Sequence, residues 1–291
     1  MTVERVGIVG AGQMGAGIAE VCARAYVDVL VYEQTRELAT AGRSRVLQSL
    51  DRGVSSGKIT EREREHAACR LRFTFDLADF ADRQLVVEAV LEDEKIKTDI
   101  FTELDAVVTD PGAVLASNTS SIAISTLASA TTDPNRVVGL HFFNPVPVLP
   151  LVELVVTDAT SGAVAERAEK FAGDVLGKQV VRSADRSGFV VNALLVPYLL
   201  SAVRMVESGF ATKEDVDKAT VLGLAHPMGP LALADLIGLD TVKAIADSMY
   251  SEFAEPLFAA PPLLLSMIDA GRMGKKSGAG FYRYENGRVA K

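Results

Sequence analysis

A short apolar strand, Val6 to Val9, runs straight into Gly10-Ala-Gly12-Gln-Met-Gly15 and then into Ala16 to Ala25, where Ile18, Ala19, Cys22 and Ala23 recur at helical spacing. Strand, glycine turn and helix in that order leave few folds open. Glycines at these three places let the chain turn tightly, let backbone approach a pyrophosphate and let the helix pack close on the strand, while the helix N-terminus offers amide donors and a positive dipole. The second strand, Val27 to Tyr32, ends on Glu33, eighteen residues past Gly15. A carboxylate there accepts the ribose hydroxyls of an adenosine and repels a 2′-phosphate, so the unit predicts NAD rather than NADP. Arg36, three residues on, is the side chain able to soften that preference.

Strands and helices go on alternating. Leu71 to Phe73 and Leu85 to Glu88 read as strands, Glu92 to Val108 as a helix with apolar spacing at Ile96, Ile100, Phe101 and Leu104, and Val114 to Ser117 as a further strand. Such alternation builds a doubly wound, mainly parallel sheet whose ligands sit at the C-terminal ends of the strands. The polar cluster Ser117-Asn118-Thr119-Ser120-Ser121 falls at such an end, although Ser121 also reads as the N-cap of a helix from Ile122. Glu37 to Ala68 reads as two charged helices with a bend near Gly53 to Gly57, and Thr60-Glu-Arg-Glu63 as a capping box. This predicts a helical hairpin, near 37–68, projecting from the sheet, most of its charge being a solvated face. His66 lies inside that charge run and carries no role.

A third feature holds the chemistry. Val137-Val-Gly-Leu-His141 is an apolar strand ending on a histidine; a loop with Pro145, Pro147 and Pro150 turns the chain, and Leu151-Val-Glu153-Leu-Val-Val156 returns. On the returning strand Leu151, Glu153 and Val155 share one face and Val152, Leu154 and Val156 the other, so neither face is polar. A buried carboxylate needs a partner, and an imidazolium is a good one. His141 and Glu153 are therefore a candidate acid/base pair, set against the plainer reading of a strand-edge carboxylate and a core histidine.

Ser161 to Leu176 reads as an amphipathic helix and Gln179 to Val181 as a last short strand. From Gly188 the pattern turns helical: Phe189 to Ser208, Thr212 to Leu222, Asp240 to Phe253 and Pro262 to Ala270. The reading is a Rossmann-type domain over 1–184 followed by a smaller all-helical domain over 185–291. The first of these helices is apolar almost all round, which predicts a homodimer through the C-terminal helices. His226 sits in a Gly/Pro-rich bend and reads as structural. The net charge of −8 argues against nucleic acid bound through its phosphates. Two cysteines, Cys22 and Cys69, fit a reducing cytoplasm, and no apolar run reaches the length of a membrane span. No metal-ligand spacing is present.

Together these residues resemble the L-3-hydroxyacyl-CoA dehydrogenase family over nearly the whole length. The resemblance is carried by the glycine loop, Val87-Glu88-Ala89, Ser117 to Ser121, Gly139-Leu-His-Phe-Phe-Asn-Pro-Val-Pro147, Gly188-Phe-Val-Val-Asn192, His226-Pro-Met-Gly-Pro230 and Gly274-Lys-Lys-Ser-Gly-Ala-Gly-Phe-Tyr282. It implies an NAD-dependent enzyme oxidising a 3-hydroxyacyl-CoA to the 3-oxoacyl-CoA. His141 matches the catalytic histidine, Glu153 its orienting carboxylate, and Ser120 and Asn192 the groups that hold the substrate oxygen. Gly10, Gly12, Gln13, Met14, Gly15, Glu33, Glu92, Lys97, Asn118 and Asn144 fall to the cofactor, with Lys97 matching a lysine near the nicotinamide ribose. Arg52 and Lys58 match the hairpin that contacts CoA phosphates. Glu33 departs from the Asp of many relatives, keeping the charge and lengthening the reach. The competing readings are a dehydrogenase of a free hydroxy or sugar acid, a reductase of carrier-protein-bound acyl groups, and a non-enzymatic dinucleotide-binding relative.

Overall fold

The computed structural model describes residues 2–285 and 288–290. They form two compact units, Met1–Arg186 and Ser187–Lys291. The first runs β1 (Arg5–Val9), α1 (Gln13–Arg24), β2 (Asp28–Tyr32), α2 (Arg36–Ser55), α3 (Glu61–Cys69), β3 (Leu71–Thr74), β4 (Leu85–Glu88), α4 (Glu94–Val107), β5 (Val114–Ser117), α5 (Ile124–Ala128), β6 (Val137–Phe142), β7 (Leu151–Val156), α6 (Gly162–Lys170) and β8 (Gln179–Ala184). The eight strands make one sheet in the order β3-β2-β1-β4-β5-β6-β7-β8. Every neighbouring pair is parallel except β6 with β7. The chain leaves β1 for β2 on one side and returns to β4 on the other. The crevice beyond the carboxyl ends of β1 and β4 is therefore the switch point where ligands bind in such sheets. β4, β5 and β6 are buried along their whole length, as strands covered on both faces must be.

The charged hairpin packs along α1 instead of simply standing off the sheet. α2 buries Ala39, Gly42, Val46 and Leu50, a stripe at i, i+3, i+7 and i+11, and Ile59 and Ala67 join the same core. The heavy charge of the other faces masks this stripe in the sequence. The capping box at α3 is present: Thr60 Oγ1 accepts from the Glu63 N–H, and the Glu63 carboxylate accepts from the Thr60 N–H at 2.7 Å. The helix read from Ser161 to Leu176 is α-helical only to Lys170 and then widens into a π turn over Phe171–Val175, with Phe171 and Ala172 buried. The N-cap expected of Ser121 is a correction, because α5 begins at Ile124 and takes its cap from afar. Asp185 accepts from the N–H groups of Ile124 and Ser125 at 2.7 Å each, and the Ser121 hydroxyl donates to Glu92.

The second unit consists of α7 (Val191–Glu207), α8 (Lys213–Gly223), α9 (Pro230–Ile237), α10 (Leu239–Phe253) and α11 (Pro262–Asp269), with a terminal hairpin of β9 (Tyr284–Glu285) and β10 (Arg288–Val289). α9 has no counterpart in the sequence reading, since Pro230 at its N1 position passes there for part of a bend. Two buried carboxylates hold the unit together. Asp217 accepts from Leu231 and Ala232 N–H at 2.8 and 3.0 Å, capping α9. Asp235, fully buried, accepts from Phe281 and Tyr282 N–H at 2.8 and 2.9 Å and from the Tyr284 hydroxyl at 3.0 Å. A Cβ on Gly280 would lie 1.9 Å from Asp235 Oδ1, so only glycine lets the C-terminal segment approach this carboxylate. Burial pushes the Asp235 carboxyl above its ordinary range in spite of these donors. Asp235→Ala strands three donors and should lower stability by about 3 kcal/mol, read from the urea midpoint of the C-terminal unit.

Candidate active site

The antiparallel register of β6 and β7 sets His141 directly opposite Glu153. Facing residues on one side of such a pair are near enough for direct side-chain contact. Here His141 Nδ1 lies 2.7 Å from Glu153 Oε2, with the side chains 5% and 0% exposed. A carboxylate only accepts, so in the neutral imidazole Nδ1 carries the proton and Nε2 presents its lone pair. That lone pair faces Ser120, whose Oγ is 3.0 Å away and donates to it. The Phe143 ring packs against the imidazole, centroids 4.6 Å apart. The loop between the strands is pinned from two sides. Lys178 Nζ donates to the carbonyls of Val146 and Leu149 at 2.6 and 2.7 Å, and Val146 packs where a Cβ on Gly17 of α1 would stand.

Ser120 sits on a scaffold of its own. Glu92 Oε1 accepts from Thr119 Oγ1 at 2.5 Å, Ser120 N at 2.8 Å, Ser121 N at 3.1 Å and Ser121 Oγ at 2.9 Å. Its other oxygen lies 3.3 Å from Lys97 Nζ, which is 2.6 Å from Glu88. Burial acts to raise the Glu92 pKa. Lys97 and the donors from Thr119, Ser120 and Ser121 together outweigh it and hold the carboxyl below its usual range. Lys97 is only 1% exposed, its ammonium taken up by the two carboxylates. Asn118 is buried, and its Oδ1 accepts from the Phe142 N–H at 2.9 Å, tying the end of β5 to the end of β6. Asn144 is exposed in the loop beyond β6.

The glycine loop has the form a pyrophosphate needs. Gly10 has φ +90°, and a Cβ on Gly15 would stand 1.9 Å from the Gly10 carbonyl oxygen, so the loop closes only on glycine. A Cβ on Gly12 would meet nothing within 4 Å, leaving open space beside the backbone. Gly12 is also the N-cap of α1, which Gln13 and Met14 open, and no side chain caps that N-terminus. An anion placed there finds amide donors and the positive end of the helix dipole. Glu33 follows the end of β2, and its Oε1 accepts from the Ala11 N–H at 2.5 Å. Arg45 of α2 donates to the Ala11 carbonyl at 3.0 Å, so the end of β2 and the helix after it converge on one loop residue. Arg36 lies over the Phe75 ring, 5.8 Å from its centroid. These residues fit a dinucleotide with a free 2′-hydroxyl.

The basic residues of the hairpin part company. Lys58 lines a cavity of about 490 Å³ together with Arg24, His66, Lys178, Pro147 and Pro150. Arg52 does not line it; its charge acts on the buried Glu20 of α1. Asn192 belongs to the C-terminal unit, buried in the first turn of α7.

Residues 5–186 match the model of the 3-hydroxyacyl-CoA dehydrogenase NAD binding domain, and residues 188–284 that of the 3-hydroxyacyl-CoA dehydrogenase C-terminal domain. The chain belongs to the 3-hydroxyacyl-CoA dehydrogenase family. It is 68% identical to a 3-hydroxybutyryl-CoA dehydrogenase of Mycobacterium tuberculosis strain H37Rv, over 97% of this chain and 99% of that one. Its fold superposes on the crystal structure of M. tuberculosis FadB2 with a TM-score of 0.97 at 68% identity, covering 98% of this chain and 100% of that one. It superposes on the (S)-3-hydroxybutyryl-CoA dehydrogenase PaaH1 of Ralstonia eutropha with a TM-score of 0.93 at 38% identity, over 98% and 100% of the two chains.

For a dehydrogenase of this family the network beneath Ser120 is the part that sequence reasoning missed. Glu88 and Ser117 entered the sequence reading within motifs of the resemblance but without a role of their own, and both are fully buried. A carboxylate closing the apolar run Leu85-Val-Val-Glu88 was the available signal. The depressed pKa of Glu92 gives the network a pH signature. Its stabilising share is fully present above the ordinary carboxylate range and is lost as pH falls through the depressed folded value. Amide protection factors at Ser120 and Ser121 should therefore hold through weakly acidic pH and drop below it, and Glu92→Gln should abolish that pH dependence in hydrogen-exchange measurements.

Proposed function

We propose that this dehydrogenase interconverts (S)-3-hydroxybutyryl-CoA and acetoacetyl-CoA, with His141 as acid/base, Glu153 as its orienting carboxylate, and Ser120 and Asn192 as ligands of the reacting oxygen. The observation that carries the reading is the line Ser120 Oγ, His141 Nε2, His141 Nδ1, Glu153 Oε2, at 3.0 and 2.7 Å, at the carboxyl end of β6. The names of the relatives support the substrate, and Asn192 rests on the family resemblance.

Bound NAD supplies the hydride acceptor for alcohol oxidation. The chain supplies the rest. Nε2 of neutral His141 takes the hydroxyl proton as the carbonyl forms, and Glu153, already hydrogen-bonded to Nδ1, stabilises the imidazolium that results. In reduction the imidazolium returns that proton to the 3-oxo oxygen. With substrate bound, the Ser120 hydroxyl, 3.0 Å from Nε2, turns its one proton from the imidazole to the oxygen on which charge develops, an interaction worth about 3 kcal/mol per donor in comparable sites. Glu33 is the residue that disfavours a 2′-phosphate, and Arg36, stacked on Phe75, is held as a neighbour of that position.

Lys58 with Arg24 and Lys178, partly offset in the same lining by Glu63 and Asp174, supports assigning the cavity beside the hairpin to the anionic end of CoA, while Arg52 rests on the family resemblance. A homodimer through the C-terminal helices is supported by apolar side chains left exposed on that unit, among them Leu194 at 73%, Phe210 at 80% and Leu222 at 72%. Among the described residues no helix is long and apolar enough to cross a membrane, and both cysteines are free, which supports a cytoplasmic setting.

The test is loss of absorbance at about 340 nm, where the reduced nicotinamide cofactor absorbs, when NADH or NADPH is mixed with acetoacetyl-CoA or free acetoacetate. Oxidation of NADH with the thioester, and little with NADPH or the free acid, is expected. His141→Gln should keep NADH binding and lose turnover by about 10³-fold. Turnover of free acetoacetate as fast as of the thioester contradicts the substrate assignment.

A further inference from the structure

Glu88 closes β4 with its side chain fully buried, and its carboxylate gathers donors from three segments. Lys97 Nζ on α4 lies 2.6 Å from Oε1, Ser117 Oγ at the end of β5 lies 2.6 Å from Oε2, and the Val90 N–H lies 2.7 Å from Oε1. Two of these donors lead to Ser120. Lys97 reaches on to Glu92 at 3.3 Å, and Glu92 holds the N–H groups of Ser120 and Ser121. The Ser117 hydroxyl, having donated to Glu88, accepts from the Thr119 N–H at 3.1 Å, the residue before Ser120.

A buried ion pair is a poor device for stability alone, since a well-packed apolar pair of the same volume does as well or better. What it provides is direction. Lys97 is 1% exposed and stands between a carboxylate with no exposure and one, Glu92, that is 40% exposed. Without Glu88 the ammonium has only Glu92 to turn to, and Glu92 is the acceptor that the Ser120 loop hangs on. We propose that Glu88 is a positioning residue for the reaction. It fixes the Ser120 hydroxyl against His141 Nε2 through Lys97 and Glu92 on one branch and through Ser117 and Thr119 on the other, and touches neither substrate nor cofactor. This rests on the reading of Ser120 as a ligand of the reacting oxygen.

A double-mutant cycle separates positioning from mere structure. Turnover of acetoacetyl-CoA and the KM for NADH are measured for the unaltered enzyme, Glu88→Gln, Ser120→Ala and the double variant. Glu88→Gln should lower kcat about tenfold, and should cost kcat under about twofold when Ser120 is already alanine, because its path to the reaction is then cut. The same loss in both backgrounds overturns the proposal, since Glu88 then acts independently of Ser120. Full activity of Ser120→Ala alone removes the premise and the proposal with it, a failure distinct from additivity. If Glu88→Gln does not fold, Ser117→Ala takes its place in the cycle. It should show the same coupling at about threefold, and an additive or absent effect overturns the proposal.

Discussion

A carboxylate buried in the middle of an apolar strand has to be met by a donor, and the structure depends on how Glu153 meets this demand. β7 gives Glu153 no exposure, and the answer is a histidine placed directly across the strand pair. Only an antiparallel pair, closed by a short loop, brings residues so close in sequence face to face. The sheet is parallel except at this one step, and this step carries the acid/base pair. A slip of one residue would turn Glu153 to the opposite face of the sheet, leaving two buried polar groups without each other. The pairing of β7 with β8 and the anchoring of the loop by Lys178 and Val146 fix that register.

The same demand recurs one strand pair away. Glu88 ends β4 as buried as Glu153, and Lys97 and Ser117 meet it. From there the polar contacts run through Glu92 to the Ser120 loop and so to Nε2 of His141. Polar groups buried and satisfied in this way hold one arrangement, because every alternative leaves a donor or acceptor stranded. The end of β4 also packs on the glycine loop, where Ala89 and Val90 stand within reach of a Cβ on Gly10. Cofactor loop and proton-transfer line are thus built against the same strand.

Legibility in the sequence followed polarity that broke a pattern. His141 and Glu153 stood out because each interrupts an apolar run, the glycine loop and Glu33 because of their spacing about a strand, a turn and a helix, and the α/β sheet with its helical second unit followed from the alternation around them. Glu88 breaks its run just as clearly, but at a strand end, where a carboxylate passes for the first exposed residue. Lys97 shares the i, i+4, i+7 face of Phe101 and Leu104, a sign of burial that a lysine on a charged helix masks. α9 hid behind a proline and a glycine that here start a helix. Ser121 shows the limit of local reading: its hydroxyl serves Glu92, twenty-nine residues earlier, and the cap it was expected to provide comes from Asp185.

Glu153 fixes His141 as the Nδ1–H tautomer, with Nε2 as the acceptor of the substrate proton. The direct measurement is a long-range ¹H–¹⁵N correlation spectrum of ¹⁵N-histidine-labelled protein in alkaline buffer, with His66 and His226 assigned by substitution, since the chain has three histidines. Neutral His141 should carry its proton on Nδ1, in a hydrogen bond shifted downfield, and Glu153→Leu, which has no acceptor, should remove that preference. A spectrum showing the Nε2–H tautomer, or the same tautomer unchanged in Glu153→Leu, would contradict this assignment.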